Sequence, residues 1–269
     1  MVTPVDPPIP PDSPGNADPT PQSARGARSD PPKQPEPSTS PRNAATVVLV
    51  RPSVRGVEVY MLRRSAKSPF MPSTLVFPGG RVDPDDGDIT NPATWEQAAM
   101  RECREEAGLD LVGRPLTWFD TWLTPSLESS RRYLARFFLT ALAAGEGDDA
   151  QTDGHETHAG RWATVAEHIA GWDAAEIDLP PPTLCILLQL RDWAAGSADT
   201  VAAIAAAATA QAAGEPILPK VTADGGTPTI VMPHDPLYPG LPGEGLPAPA
   251  RASVLPKRFS RTRGGWRPQ

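Results

Sequence analysis

The sequence predicts a chain of the α/β class, of α+β type, whose ordered part runs from residue 45 to 213. Two observations predict it. The first is where proline sits. Of 35 prolines in 269 residues, 13 fall in 1–44, 11 in 45–213 and 11 in 214–269. Proline lacks a backbone donor and fixes φ, so dense proline works against helices and central strands. The second is that short apolar or alternating runs give way to helical patterns inside the middle segment, as in a sheet covered by helices.

The elements follow in order. Residues 1–44 carry Pro, Ser, Asp, Gln and Gly with few large apolar groups. They bury too little to offset ordering and read as a disordered tail. Ala45–Arg51 is β-branched and apolar, a buried strand, and Val57–Arg63 alternates as its hairpin partner. Arg63–Ser73 is a loop, and Thr74–Phe77 a short strand ended by Pro78-Gly79-Gly80. Thr94-x-x-Gln97 is a capping-box pattern that opens a helix over Trp95–Ala107, with Gly108 at its C-terminal stop. Leu116–Leu123, Arg132–Leu142 and Glu156–Trp162 read as strands. Thr164-x-x-Glu167 caps a short helix to Trp172. Pro181 or Pro182 opens a helix to Ala195, and Asp199–Ala213 is an alanine-rich helix with a thin apolar face. Residues 214–269 form a Pro/Gly-rich extension with one strand, Thr229–Met232, expected to wrap partly over the domain. Its basic end, Lys257–Arg267, reads as a solvated tail, with a segment folded back on the domain as the alternative.

Composition narrows the function. No run approaches about 18 apolar residues, so no membrane partner is expected, and Met1–Pro11 lacks the pattern of a secretory leader. Two cysteines, Cys103 and Cys185, exclude a disulfide scaffold or a four-cysteine zinc site; the expected location is the cytoplasm. A formal net charge of −7 argues against nucleic acid as partner. A homodimer is compatible with the reading.

The chemistry concentrates in Phe77–Asp83 and Arg101–Leu109. On a helix, Glu102, Glu105 and Glu106 project to one side, at about 0°, 300° and 40°. Three such carboxylates repel and call for a cation; hard oxygen donors suit Mg²⁺ or Mn²⁺. The alternative is a solvated acidic face paired to Arg101 and Arg104. Ala99, Cys103 and Ala107 form a neighbouring stripe of small side chains that lets the helix approach a sheet.

These residues resemble the Nudix box, G-x5-E-x7-R-E-U-x-E-E-x-G-U with U apolar. Gly80 aligns with its first glycine; Arg101, Glu102, Cys103, Glu105, Glu106, Gly108 and Leu109 match its second half. Gly80 and Arg101 enclose 20 residues where the box has 13, an insertion of seven. The middle glutamate therefore has no match at its usual spacing. Counted from Gly80 its place falls on Asp86, with Asp83 and Asp85 as looser substitutes. Leu62–Ser65, Pro69–Pro72 and Val76–Asp83, with Trp162 and Pro182-Thr183 later, are similar to the branch that holds peroxisomal-type coenzyme A diphosphatases and their bacterial relatives.

The resemblance implies an α/β/α sandwich on a mixed sheet and a metal-dependent pyrophosphohydrolase. Its substrate would be a nucleoside diphosphate linked to another moiety, coenzyme A or acyl-CoA first. ADP-ribose, a dinucleotide or a nucleotide sugar are the enzymatic alternatives, and a non-catalytic nucleotide-binding module is the alternative of another class. It implies Glu102, Glu105 and Arg101 as catalytic residues. Glu102, Glu105, Glu106, Gly79, Gly80 and Glu156 would hold Mg²⁺ or Mn²⁺, with Asp153 second to Glu156. Arg64, Arg131 and Arg132 are the candidates for substrate phosphates. His155 and His158 flank Glu156, but the context of a zinc protease helix is missing.

Overall fold

A computed structural model describes residues 40–66, 73–126, 131–150, 157–211 and 213–269, all within the compact unit Pro37–Gln269. The expected tail over 1–44 lies almost entirely outside the described residues.

The elements are β1 (Arg42–Ser53), β2 (Gly56–Arg64), β3 (Leu75–Val76), β4 (Gly79–Arg81), α1 (Pro92–Ala107), β5 (Thr117–Leu123), β6 (Tyr133–Ala141), β7 (Thr157–Thr164), α2 (Val165–Asp173), α3 (Pro181–Ala194) and α4 (Thr200–Gln211). Four more strands follow: β8 (Lys220–Asp224), β9 (Thr227–Val231), β10 (Arg258–Thr262) and β11 (Gly265–Pro268). The first seven strands form one mixed sheet of order β3-β2-β1-β6-β5, with β4 on β1 and β7 on β2. Only the β1–β6 pairing is parallel within it.

The run Ala45–Val50 is apolar on both faces because both faces are covered. Ala45, Val47 and Leu49 point to α1, where Trp95, Ala98, Ala99, Cys103 and Ala107 meet them. Val48 and Val50 point the other way, into a core built with α2, α3 and α4. The expected sandwich is therefore present. The small stripe does what its size allows: Ala99, Cys103 and Ala107 are all fully buried. Helix α3 is apolar nearly all round (Leu184, Cys185, Ile186, Leu187 and Leu190 have no exposure) because neighbours enclose it.

Helix α1 begins earlier than its capping-box pattern indicates. Asn91 is the N-cap, accepting from the Ala93 amide at 3.1 Å, and Pro92 opens the first turn. Thr94 is instead buried, its hydroxyl donating to the Asp88 carbonyl at 2.6 Å. The other box, Thr164 with Glu167, forms on α2 as expected.

The C-terminal extension departs most from expectation. The strand expected at Thr229–Met232 is β9, but it sits in a four-stranded antiparallel sheet, β11-β10-β9-β8. The basic end is not a solvated tail: it supplies β10 and β11. Phe259 is fully buried, while Arg258 and Arg261 pair with Asp235 and Asp178. Ile230, Met232, Ala252, Leu255 and Phe259 complete the core on the α3 side. Two arginines fasten this extension. Arg251 donates to Asp120, which has no exposure, at 2.7 Å. Arg132, 3% exposed, donates to the Thr124 carbonyl and to Glu244.

The Asp235–Arg258 pair gives a pH signature. Arg258 donates from Nε at 2.6 Å and from Nη2 at 3.0 Å. These bonds hold the Asp235 carboxyl below its ordinary range, against the effect of burial. A depressed folded pKa stabilises above the unfolded value and is lost as pH falls through the folded one. Asp235→Asn is expected to lower Tm at neutral pH and to change it little in strong acid; thermal scans at both pH values check this.

Candidate functional site

The site begins at two glycines whose places a β-carbon would crowd. Strand β4 runs antiparallel to the start of β1, Ala45 opposite Gly80 and Thr46 opposite Gly79. A β-carbon at Gly79 would lie 2.6 Å from the Ala45 carbonyl oxygen. One at Gly80 would overlap the Glu102 carboxylate. Helix α1 thus lays Glu102 directly on bare backbone. Gly80→Ala is expected to push Glu102 aside and abolish most turnover while the fold persists. Circular dichroism beside an activity assay checks both halves.

Asp86 and Arg101 organise the acidic groups. The turn Pro84–Asp86 is capped by its own side chain: Asp86 accepts from the Asp83 amide at 2.8 Å and is 6% exposed. Arg101 grips Asp86 with two donors, Nε and Nη2, each at 2.9 Å. Its remaining donors reach the Arg81 carbonyl at 2.9 Å, Glu102 at 2.9 Å and Glu105 at 3.1 Å. The Asp86 carboxyl is held below its usual range by those hydrogen bonds, and the Arg101 guanidinium is held charged far above neutral pH. Counting from Gly80 reached Asp86, and the structure puts a carboxylate bound to the box arginine there. The inserted residues fold onto the start of α1, where Trp95 Nε1 donates to the Ile89 carbonyl.

The three glutamates on α1 stand differently. Glu102 is mostly buried, and burial pushes its carboxyl up while Arg101 partly holds it down. Glu105 is 55% exposed. Glu106 is buried and accepts from the Gly79 amide at 2.9 Å. Arg101 therefore joins Glu102 and Glu105, and Glu106 clamps β4. Among the described residues no group of three or more His, Cys, Asp or Glu side chains stands together so as to hold a metal ion. The donor set nevertheless fits a hard divalent cation in kind: adjacent carboxylates on one helix, facing glycine backbone.

The remaining expected residues scatter. Glu156, Asp153 and His155 lie outside the described residues, as does the side chain of His158. Arg64 is the last residue of β2, its amide on the Thr74 carbonyl. Arg131 is exposed just before β6. Arg132 follows it at the same end of the sheet but is committed to Thr124 and Glu244, a structural post for a guanidinium expected on substrate. Sequence reasoning missed Arg136. It lies on β6 opposite Ala45, its guanidinium between the rings of Trp95 (3.9 Å) and Trp118 (4.1 Å). The signal was present: in Tyr133–Ala141 the inward positions run Leu134, Arg136, Phe138, and a charge in that register asks for a reason.

Comparison with known proteins gives the family. A family model described as "NUDIX domain" matches residues 40–180. The chain is similar to a Caenorhabditis elegans protein named "Putative nudix hydrolase 7", 29% identical over 194 residues; the match covers 58% of this chain and 63% of that protein's length. Among solved structures it is similar to a NUDIX hydrolase from Alicyclobacillus acidocaldarius, with a TM-score of 0.48 and 22% identity over 55% of this chain and 90% of that one. It is also similar to the NUDIX domain of Shewanella oneidensis NrtR, crystallised with ADP ribose, with a TM-score of 0.45 and 15% identity over 60% and 93%. With the family match spanning more than half of its length, over the residues that build β4, the Asp86–Arg101 clamp and the acidic face of α1, the chain belongs to the Nudix family.

Proposed function

We propose that this chain is a pyrophosphohydrolase that cleaves a nucleoside diphosphate linked to another moiety, with coenzyme A or an acyl-CoA as the substrate. One observation carries the reading: Glu102 rests on the bare Gly80 backbone while Arg101, anchored by Asp86, spans Glu102 and Glu105. The coenzyme A choice is supported by the sequence likeness at Leu62–Ser65 and Val76–Asp83.

Glu102, Glu105 and Glu106, with a carbonyl of Gly79 or Gly80, would hold Mg²⁺ or Mn²⁺. When bound, such an ion supplies charge neutralisation for the phosphates and lowers the pKa of water. The chain's own residues do the rest. Asp86 fixes Arg101, and Arg101 fixes the rotamers of Glu102 and Glu105. Glu102, mostly buried beside Gly80, serves either as a ligand or as the base that takes the proton of the attacking water. The water oxygen bonds to one phosphorus, the bridging P–O bond breaks, and the products are a nucleoside phosphate and the phosphorylated partner.

A panel of CoA, acetyl-CoA, dephospho-CoA, ADP-ribose, a dinucleoside polyphosphate and a nucleotide sugar tests the choice, each with Mg²⁺ and with Mn²⁺. The highest kcat/KM is expected for CoA or acetyl-CoA; a higher value for ADP-ribose or the dinucleotide moves the substrate and keeps the chemistry. Tight nucleotide binding with no turnover of any substrate would favour the non-catalytic module.

A further inference from the structure

Among the described residues, Arg136 is the one charged group on the α1 face of the sheet whose surroundings neither the fold nor the carboxylate cluster explains. The rings of Trp95 on α1 and Trp118 on β5 both lie against its guanidinium, at 3.9 and 4.1 Å. Nothing engages its edge: Nε is buried without a hydrogen-bond partner, and among the described residues the side chain donates to no carbonyl and pairs with no carboxylate. Burial accordingly lowers its pKa. A half-buried guanidinium whose Nε is sealed from water would be expected to carry a carboxylate, as Arg251 does with Asp120.

Its place in the sheet gives the edge a purpose. Gly80, Ala45 and Arg136 form one row across β4, β1 and β6, with their α1-side positions aligned. Two strand spacings separate Gly80 from Arg136, about 10 Å. Along α1, Trp95 precedes Glu102 by seven residues, again about 10 Å. The row itself is closed by α1, with Ala45 fully buried beneath it, so a nucleoside diphosphate would cover that distance along the flank of the helix. Two flat rings fix the plane of the guanidinium, and a fork held in one plane matches the paired oxygens of a phosphate.

We infer that Arg136, clamped between Trp95 and Trp118, is a substrate-binding residue that receives a phosphate of the nucleotide, one subsite away from the phosphorus attacked beside Glu102. The inference rests on the pyrophosphohydrolase reading of the α1 carboxylates. The phosphate has two sources, the diphosphate itself or a phosphate monoester on the ribose, and the test separates them.

The experiment is calorimetric titration of the full chain, in EDTA, with ADP and with adenosine 3′,5′-bisphosphate, for wild type, Arg136→Gln and Arg136→Lys, with Tm recorded for each. Arg136→Gln is expected to weaken binding at least tenfold with Tm little changed. Arg136→Lys, which keeps the charge and loses the planar fork, is expected to fall between, and it decides the matter if the glutamine variant does not fold. Loss with both probes assigns the diphosphate, and loss with the bisphosphate alone assigns the ribose phosphate. Equal affinity of variant and wild type for both probes, or a wild type that binds neither, overturns the inference. Because no turnover is measured, a failure here is distinct from a failure of the hydrolase reading, which the substrate panel decides.

Discussion

Glu105→Gln is expected to lower turnover by about 10²- to 10⁴-fold while leaving Tm nearly unchanged. The two halves have separate causes. Glu105 is 55% exposed, and its contact is a single hydrogen bond from Arg101 at 3.1 Å. A surface pair of that kind contributes about 0–1 kcal/mol, so the fold hardly notices its loss. Turnover is another matter, because glutamine keeps the shape and removes the charge that must face the phosphates. The chain then retains a neutral amide where a hard cation needs an anion. Steady-state rates and thermal scans on the same preparations check the prediction. Unchanged turnover would remove Glu105 from the site.

The second large effect concerns the C-terminal extension. Arg251→Met is expected to cost about 3–5 kcal/mol, because it leaves a buried carboxylate without its partner. For a chain of this size that is a fall in Tm of about 6–20 °C. Asp120 has no exposure, and the Thr121 amide, Trp122 Nε1 and Arg251 Nε all donate to it. Burial pushes its carboxyl up despite Arg251, so removing the guanidinium tips the balance further. Arg251→Lys, which keeps a cation, should lose less. Truncation after Gly214 should be worse than either, since it also strips Ile217, Ile230, Met232, Leu255 and Phe259 from the core. Differential scanning calorimetry of the three proteins gives the order. A truncated chain as stable as the whole would contradict it.

Much of the fold was legible, for reasons visible in particular residues. Ala45–Val50 could only be a buried strand, and the box Thr164–Glu167 could only cap a helix. Pro181 at the head of α3 and Gly108 at the end of α1 marked boundaries by their own backbone chemistry, Gly108 with a φ of 68°. The C-terminal sheet was hidden by its prolines, yet each sits where its missing donor is harmless. Pro228 faces Ala223 on β8 and lies beyond the stretch of β9 that pairs with β10, while Pro268 ends the edge strand β11. Density of proline therefore misled where position would have informed.

The candidate site divides in the same way. Helical spacing alone brought Glu102, Glu105 and Glu106 to one side, but it could not say that Arg101 would bind two of them and that Glu106 would clamp Gly79. Asp86 was reachable by counting, whereas its bidentate hold on Arg101 depends on how the insertion folds back on α1. Strand alternation put Arg136 in an inward register, but no local pattern could name its two indoles, which come from α1 and β5 and meet it only through the sheet.

The most direct test of the central claim is product identification. Wild-type protein incubated with coenzyme A and Mg²⁺ should release adenosine 3′,5′-bisphosphate and 4′-phosphopantetheine in equal amounts, seen by mass spectrometry, and Glu105→Gln should not. Coenzyme A recovered intact, under conditions where the same preparation hydrolyses another member of the panel, would contradict the substrate assignment. Intact recovery of every substrate would contradict the hydrolase itself.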